Sequence, residues 1–273
     1  MLRAPALSMR ESLVASTPSP LDLLLRKLET HAALAPEDRA AVLALPYRLK
    51  TLEAQSYVAR EGDPPETCSI LASGLACRHK LTRDGLRQIV ALDIPGDPLD
   101  LQNLFLDVAD HNVQTLTRAE VAVLSRGDLE ALIRSRPAVA HAVLVLMQVE
   151  SSIFREWVLN IGRRGASSRL AHLLCELGSR LEAQGLSEGD EYELPMTQEQ
   201  LGDALGLTTV HVNRTIRTLE AEGFVQRDRG RVRVSGWRRM REYGDFNPRY
   251  LHAEQNGPQP EGADAVQRER PPV

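Results

Sequence analysis

Nine arginines fall between Thr208 and Arg241: Arg214, Arg217, Arg227, Arg229, Arg231, Arg233, Arg238, Arg239 and Arg241. Only Glu220, Glu222 and Asp228 oppose them, a local balance of +6 in a chain of net charge −4, so the remainder carries −10. A compact basic module on an acidic body suits a protein that reads a polyanion at one place. The neighbouring residue types define the chemistry further. Thr208, Thr209, His211, Asn213, Arg214 and Arg217 lie close together in the chain. Arginine presents two parallel donors to the O6 and N7 of guanine, and asparagine can pair with the N6 and N7 of adenine. Arg229, Arg231 and Arg233 then alternate along the chain, a spacing that suits contact with successive phosphates. These nine positions are the expected DNA-binding residues, and double-stranded DNA is the expected partner. Contact with protein alone, the competing use of such a module, has no need of this arginine density.

The rest of the sequence offers little other chemistry. Cys68, Cys77 and Cys175 are scattered and odd in number, which argues against a disulfide framework or a zinc knuckle and for a reducing, cytoplasmic setting. Cys68 and Cys77 could approach each other across a hairpin. His31, His79, His141, His172 and His252 are single and read as ordinary core or surface residues. Asp107, Asp110 and His111 form one cluster that could bind a metal or exchange protons, but loop polarity accounts for it equally well. There is no nucleophile–base pair. No catalytic activity, metal or cofactor is expected. The longest apolar stretch, Ala138 to Val149, is short of a membrane span, and the first residues lack a sustained apolar core, so neither a signal peptide nor a membrane partner is expected. Apolar residues make up 42% and charged residues 26%, an ordinary globular balance.

The basic residues need elements to hold them. Thr197 followed by Gln200 is a capping-box pattern, opening a helix over Gln198–Ala204 that stops at Leu205-Gly206. Thr208 caps a second helix, Thr209–Glu222, with Val212, Ile216 and Leu219 facing inward. Two short helices joined through a glycine turn, the second polar and basic outside, make a layout for insertion into the major groove. Phe224–Arg227 and Arg231–Val234 flank Asp228-Arg229-Gly230 as a two-stranded wing. Upstream, Ala166–Ala183 is an amphipathic helix, and the glycine-rich Gln184–Glu191 reads as a loop.

Between Tyr47 and Leu132 short apolar runs alternate with turn signals. Asp84-Gly85 separates strands near Ala76–Leu81 and Leu86–Leu92, a hairpin signal, and the spacing suggests an antiparallel roll or barrel. Glu120–Leu124 reads as a strand, and Ser125–Arg134 as a short helix. From Pro137, Val139, Ala142, Leu146, Val149, Ile153 and Trp157 recur at helical steps. Such a stripe can pack onto its own domain or bury a seam against a partner helix. Its position between a sheet domain and a basic module favours the second, so these six residues are the expected dimer interface. The divisions expected are a disordered segment 1–20, a sensor domain 21–136, a dimerisation helix 137–163, a winged helix-turn-helix domain 164–243 and a disordered tail 244–273.

The run Thr197-Gln198-Glu199-Gln200-Leu201-Gly202, then Leu205-Gly206-Leu207-Thr208, Val212-Asn213-Arg214 and Leu219-Glu220-Ala221-Glu222-Gly223-Phe224 resembles the Crp/Fnr family of bacterial transcription regulators, and the likeness extends over about residues 20–240. The resemblance implies an α+β fold: an N-terminal antiparallel jelly roll like those that bind cyclic nucleotides, a long dimerisation helix and a C-terminal winged helix-turn-helix. It implies a homodimer on palindromic promoter sites, contact with RNA polymerase, and a base-reading arginine at Arg214. Thr209-Val210 stands where cyclic-AMP-responsive members have Arg-Glu, so the target sequence should differ. No cysteine cluster precedes Cys68, so the iron–sulfur centre of oxygen-sensing members is not expected; a haem site is not recognisable from sequence in this family. The family's phosphate-binding pairs, Gly-Glu and Arg-Ser, fall on Asp100-Leu101 and His111-Asn112. The glycine, the carboxylate and the permanent cation are absent from their places, and Asp97, Asp100, Asp107 and Asp110 make the segment acidic. Arg118 lies seven residues beyond. Cyclic AMP should therefore not bind in the family's usual way. The alternative to direct gene regulation is a ligand sensor acting through protein partners.

Overall fold

The computed structural model describes residues 18–187 and 189–253. Residues 1–17 and 254–273 of the expected disordered ends lie outside them. The chain is already ordered before the end of the expected 1–20 segment. The Ser19 hydroxyl accepts from the Asp22 N–H at 3.2 Å, the Asp22 carboxylate accepts from the Ser19 N–H at 3.1 Å, and Pro20 opens helix α1, Pro20–His31. A second helix, α2 (Pro36–Leu43), leads into the roll.

Seven strands form two antiparallel sheets. One is ordered β1 (Tyr47–Leu52), β7 (Ala119–Ser125), β3 (Thr67–Ser73). The other is ordered β2 (Tyr57–Ala59), β6 (Asn112–Thr115), β4 (Ala76–Leu81), β5 (Arg87–Asp93). Leu71, Ala76, Leu99, Val113 and Val121 form a core inside the roll. The β4–β5 turn falls at Asp84-Gly85, where Gly85 takes φ +81°, a left-handed conformation that glycine adopts without steric cost. Cys68 and Cys77 do not face each other across a hairpin: they lie on β3 and β4, in different sheets and different clusters. Burial pushes the Cys77 thiol up to about 12.

Helix α3 (Arg126–Ser135) turns the chain into α4 (Pro137–Arg163). The stripe expected as the dimer seam is largely buried within the protomer. Val139, Ala142 and Leu146 are 2%, 0% and 1% exposed and share one cluster with Leu21, Leu25 and Leu28 of α1 and with Ile70, Ala122 and Leu124 of the roll. Val149 is buried, Ile153 is half-buried against the C-terminal core, and the buried Trp157 indole donates to Glu176 at 3.1 Å. Val139, Ala142, Leu146 and Trp157 thus pack α4 onto its own protomer, while Ile153 stays partly open. A second stripe runs along the same helix: Leu144, Met147, Ser151, Phe154, Val158 and Ile161, in steps of three and four. Leu144, Phe154 and Val158 are 55%, 52% and 58% exposed. Sequence periodicity detects both stripes alike; only the position of α1 decides which is already covered. By length and composition α4, with a mean hydropathy of 1.4 in its most apolar stretch, is the one helix among the described residues long and apolar enough to cross a membrane, because it runs well beyond the Ala138–Val149 segment. One stripe of it is built into the protein core, and Glu150 is paired with Arg78.

The C-terminal module comprises α5 (Ala166–Ala183), β8 (Glu191–Glu193), α6 (Gln198–Leu205), α7 (Thr209–Ala221), β9 (Val225–Asp228), β10 (Arg231–Val234) and α8 (Trp237–Tyr243). The wing has three strands, not two, in the order β8-β10-β9: the segment expected as a loop ends in β8, paired with β10 through Tyr192↔Val232. Nor is the chain unstructured directly after Tyr243. Phe246 and Leu251 are buried, a 3₁₀ turn forms over Pro248–Leu251, and the Tyr250 hydroxyl donates to the buried Glu176 at 2.9 Å. Residues 244–253 thus clasp α4 to α5.

Candidate nucleic-acid interface

The α6–turn–α7 unit is fixed by local chemistry. Thr197 and Gln200 make the reciprocal cap of α6. Gly206 ends that helix at φ +64°, and a Cβ at Gly202 would stand 2.5 Å from the Leu207 carbonyl oxygen, so the turn closes only over glycine. Thr208 is exposed, and its hydroxyl accepts from the His211 N–H at 3.3 Å; it starts α7. Val212, Thr215, Ile216 and Leu219 are buried. At about 100° per residue, the direction opposite those four is occupied by Val210, Arg214, Arg217 and Ala221. All four are exposed, and neither arginine side chain has a partner among the described residues. Thr209 is exposed at the helix start, while His211 and Asn213 are half-buried on the two flanks. One residue of this face is absent from the expected set: Val210, at 75% exposure. A search for hydrogen-bonding base readers passes over an apolar side chain; counting helical angle from the buried face would have found it.

The wing is less simply basic than its sequence. Arg229 and Gly230, at φ +45° and +85°, make the two-residue turn that matches strand twist in hairpins, and Arg229 is exposed. Arg231 and Arg233 leave β10 on the same side and meet Glu191 of β8 at 3.0 and 2.7 Å; Arg231 also lies 3.8 Å from Glu193. Side-chain hydrogen bonds from Arg233 and Arg231 hold the Glu191 carboxyl below its ordinary range. Both arginines remain substantially exposed, so these are surface pairs of small net value. Of the other basic residues, Arg238 pairs with Glu242 at 3.2 Å and Arg239 lies 4.3 Å over the Phe224 ring, both from α8. The helix-turn-helix is held to the roll through α6: Arg87 of β5 meets the Asp203 carboxylate at 2.7 Å, and the Gln88 amide donates to the Asp203 carbonyl at 2.7 Å.

Residues 168–243 match the model of the Crp-like helix-turn-helix domain, and residues 49–136 match that of the cyclic nucleotide-binding domain. The transcriptional activator protein FnrL of Cereibacter sphaeroides is 27% identical over 179 residues, 64% of this chain and 71% of that protein. The transcriptional activator protein Anr of Pseudomonas aeruginosa is 23% identical over 202 residues, 74% of this chain and 82% of that protein. Among solved structures, FixK2 from Bradyrhizobium japonicum shares the fold with a TM-score of 0.67 at 24% identity, over 73% of this chain and 98% of its own. This chain belongs to the Crp/Fnr family. It is a DNA-binding transcription regulator of that family, with its α+β architecture.

The roll of this Crp/Fnr member holds a cavity of about 770 Å³ between β4, β5 and α4, lined among others by Arg78, Glu150, His111 and Phe154. A cyclic nucleotide would need a permanent cation there for its phosphate, and the buried cations are already taken. Arg78 donates to Glu150 at 3.0 and 3.1 Å and to Asp93 at 3.0 Å. Arg180 and Lys27 each meet Asp97 at 2.7 Å; burial alone would raise that carboxyl, but Lys27 and Arg180 hold it down at about 2. At the two positions of the family's phosphate-binding pairs, the Asp100 carboxylate accepts from the Ser69 N–H at 2.6 Å, and burial pushes it up to about 7. His111 meets Asp110 at 2.7 Å, and burial lowers its pKa, which favours the neutral ring. None of these buried groups offers a free cation to a cyclic phosphate.

Proposed function

We propose that this regulator acts as a cytoplasmic homodimer that reads palindromic promoter sites through α7 and engages RNA polymerase there. The observation that carries the reading is the outward face of α7, where Arg214 and Arg217 have no acidic partner among the described residues while Arg78, Arg164 and Arg180 are ion-paired. Arg214 is the guanine reader, Arg217 and the half-buried Asn213 assist it, and Arg229, Arg231 and Arg233 hold phosphates. Thr208 acts through the helix cap. Two copies meet along Leu144, Met147, Ser151, Phe154 and Val158 of α4, whose alternating steps suit a two-stranded coiled coil. A two-fold axis along α4 would present two α7 helices to successive major grooves. Retrieval of fragmented genomic DNA by the full-length protein tests this directly. Fragments sharing an inverted repeat support it; fragments with no common motif contradict it.

A further inference from the structure

We infer that Val210 reads a thymine methyl group, and that this contact, together with the guanine contact of Arg214, sets the target half-site. The inference rests on the DNA reading proposed above and adds to it the identity of one base pair. Val210 is the second residue of α7 and, among the described residues, the most exposed of the large apolar side chains, at 75%. Isolated exposed hydrophobes are common and need no explanation. This one is distinguished by position: it lies at the centre of the outward face, one helical turn before Arg214, with Arg217 next along the stripe. Every exposed neighbour on that stripe before Ala221 is a cation, so no apolar protein surface adjoins it there.

In the major groove, hydrogen-bond donors and acceptors mark guanine, cytosine and adenine, whereas thymine alone adds an apolar group, its C5 methyl. Valine has neither donor nor acceptor. Set against G·C it would leave polar edges unpaired, and against the thymine methyl it removes apolar surface from water on both sides. The N-terminal residues of a recognition helix are those that reach base edges. One helical turn rises about 5.4 Å and one base pair about 3.4 Å, so the thymine lies one or two base pairs from the guanine read by Arg214. A hydrophobic tip followed one turn later by a bidentate cation thus specifies a thymine near a guanine.

The test uses the full-length protein and the half-site obtained by selection from random duplexes. Each thymine is replaced in turn by uracil, which lacks only the methyl. Wild type should weaken about fourfold, the loss of one buried methyl, at a single thymine within two base pairs of the guanine where Arg214→Ala loses discrimination. Val210→Ala, with a shorter apolar side chain, should lose most of the difference between the thymine and uracil duplexes. The position is exposed on a helix, so Val210→Ala should keep the wild-type melting temperature. A half-site without thymine at that distance overturns the inference while leaving DNA reading intact. So does a Val210→Ala protein that discriminates thymine from uracil there as strongly as wild type. Selection that yields no preferred sequence at all overturns base reading by α7, and the inference with it.

Discussion

Two regions of this regulator are rich in arginine and treat it oppositely. Around the roll cavity, Arg78 and Arg180 are surrounded by carboxylates from three different elements: Asp93 at the end of β5, Asp97 beyond it, and Glu150 and Glu176 on α4 and α5. Burial works against the Arg78 charge, and Asp93 and Glu150 more than outweigh it. On α7, Arg214 and Arg217 are exposed and form no ion pair among the described residues. The difference teaches that a cation's role is set by whether the fold brings its counterion. Where the counterion is internal, the charge ties elements together; where it is withheld, the charge awaits a polyanion.

The largest expected effect separates these two roles. Arg78→Ala leaves Glu150 and Asp93 without their cation and should destabilise the fold by about 3–5 kcal/mol. Arg217→Ala should change stability by no more than about 0.5 kcal/mol while weakening DNA binding. Urea denaturation of both proteins decides; equal stability losses would erase the distinction.

The dimer gives the next largest effect. A carboxylate at Phe154 should dissociate the dimer and leave a folded monomer, because that side chain is half exposed in the protomer. Leu146→Glu should unfold the protein, because its site is already inside the core. Sedimentation together with circular dichroism distinguishes them. A folded Leu146→Glu monomer, or a fully dimeric Phe154→Glu, would return the seam to the stripe first expected.

The wing lies between the two extremes, since its arginines are paired but exposed. Glu191→Gln should release Arg231 and Arg233 toward phosphate, tightening binding to specific and random DNA alike and steepening the salt dependence by up to about one unit. An unchanged slope would mean that these arginines do not touch the backbone. For the cavity, titration calorimetry with cyclic AMP and cyclic GMP should give no stoichiometric heat at micromolar concentration. Stoichiometric binding abolished by changing His111 and Asn112 would contradict the account of its charges.

Much of this was legible in the sequence, for identifiable reasons. The extents of α5 and α7 followed from apolar residues at helical spacing bounded by glycine or threonine, and the β4–β5 hairpin from Asp84-Gly85. What escaped had weak local signals. Strand β8 is three residues long and follows a glycine-rich loop. The clasp of residues 244–253 has no period; Phe246, Tyr250 and Leu251 gain their places from α4 and α5, far away in sequence. The seam is not decided by periodicity, because α4 carries two apolar stripes and the first is largely buried in the protomer. The ion pairs of the cavity join β4, β5 and α4, and no local reading brings Arg78 to Glu150. Val210 was noted for target choice but left out of the expected contact residues because it offers no hydrogen bond.

The central claim is that the unpaired face of α7 reads bases. Equilibrium binding of wild type and Arg214→Ala, each on the selected palindrome and on random DNA at several salt concentrations, tests it most directly. Arg214→Ala should lose about 1–3 kcal/mol on the palindrome, with discrimination relaxed at one symmetric pair of positions and a much smaller loss on random DNA. Equal losses on both DNAs would show Arg214 to be a phosphate contact and contradict the account.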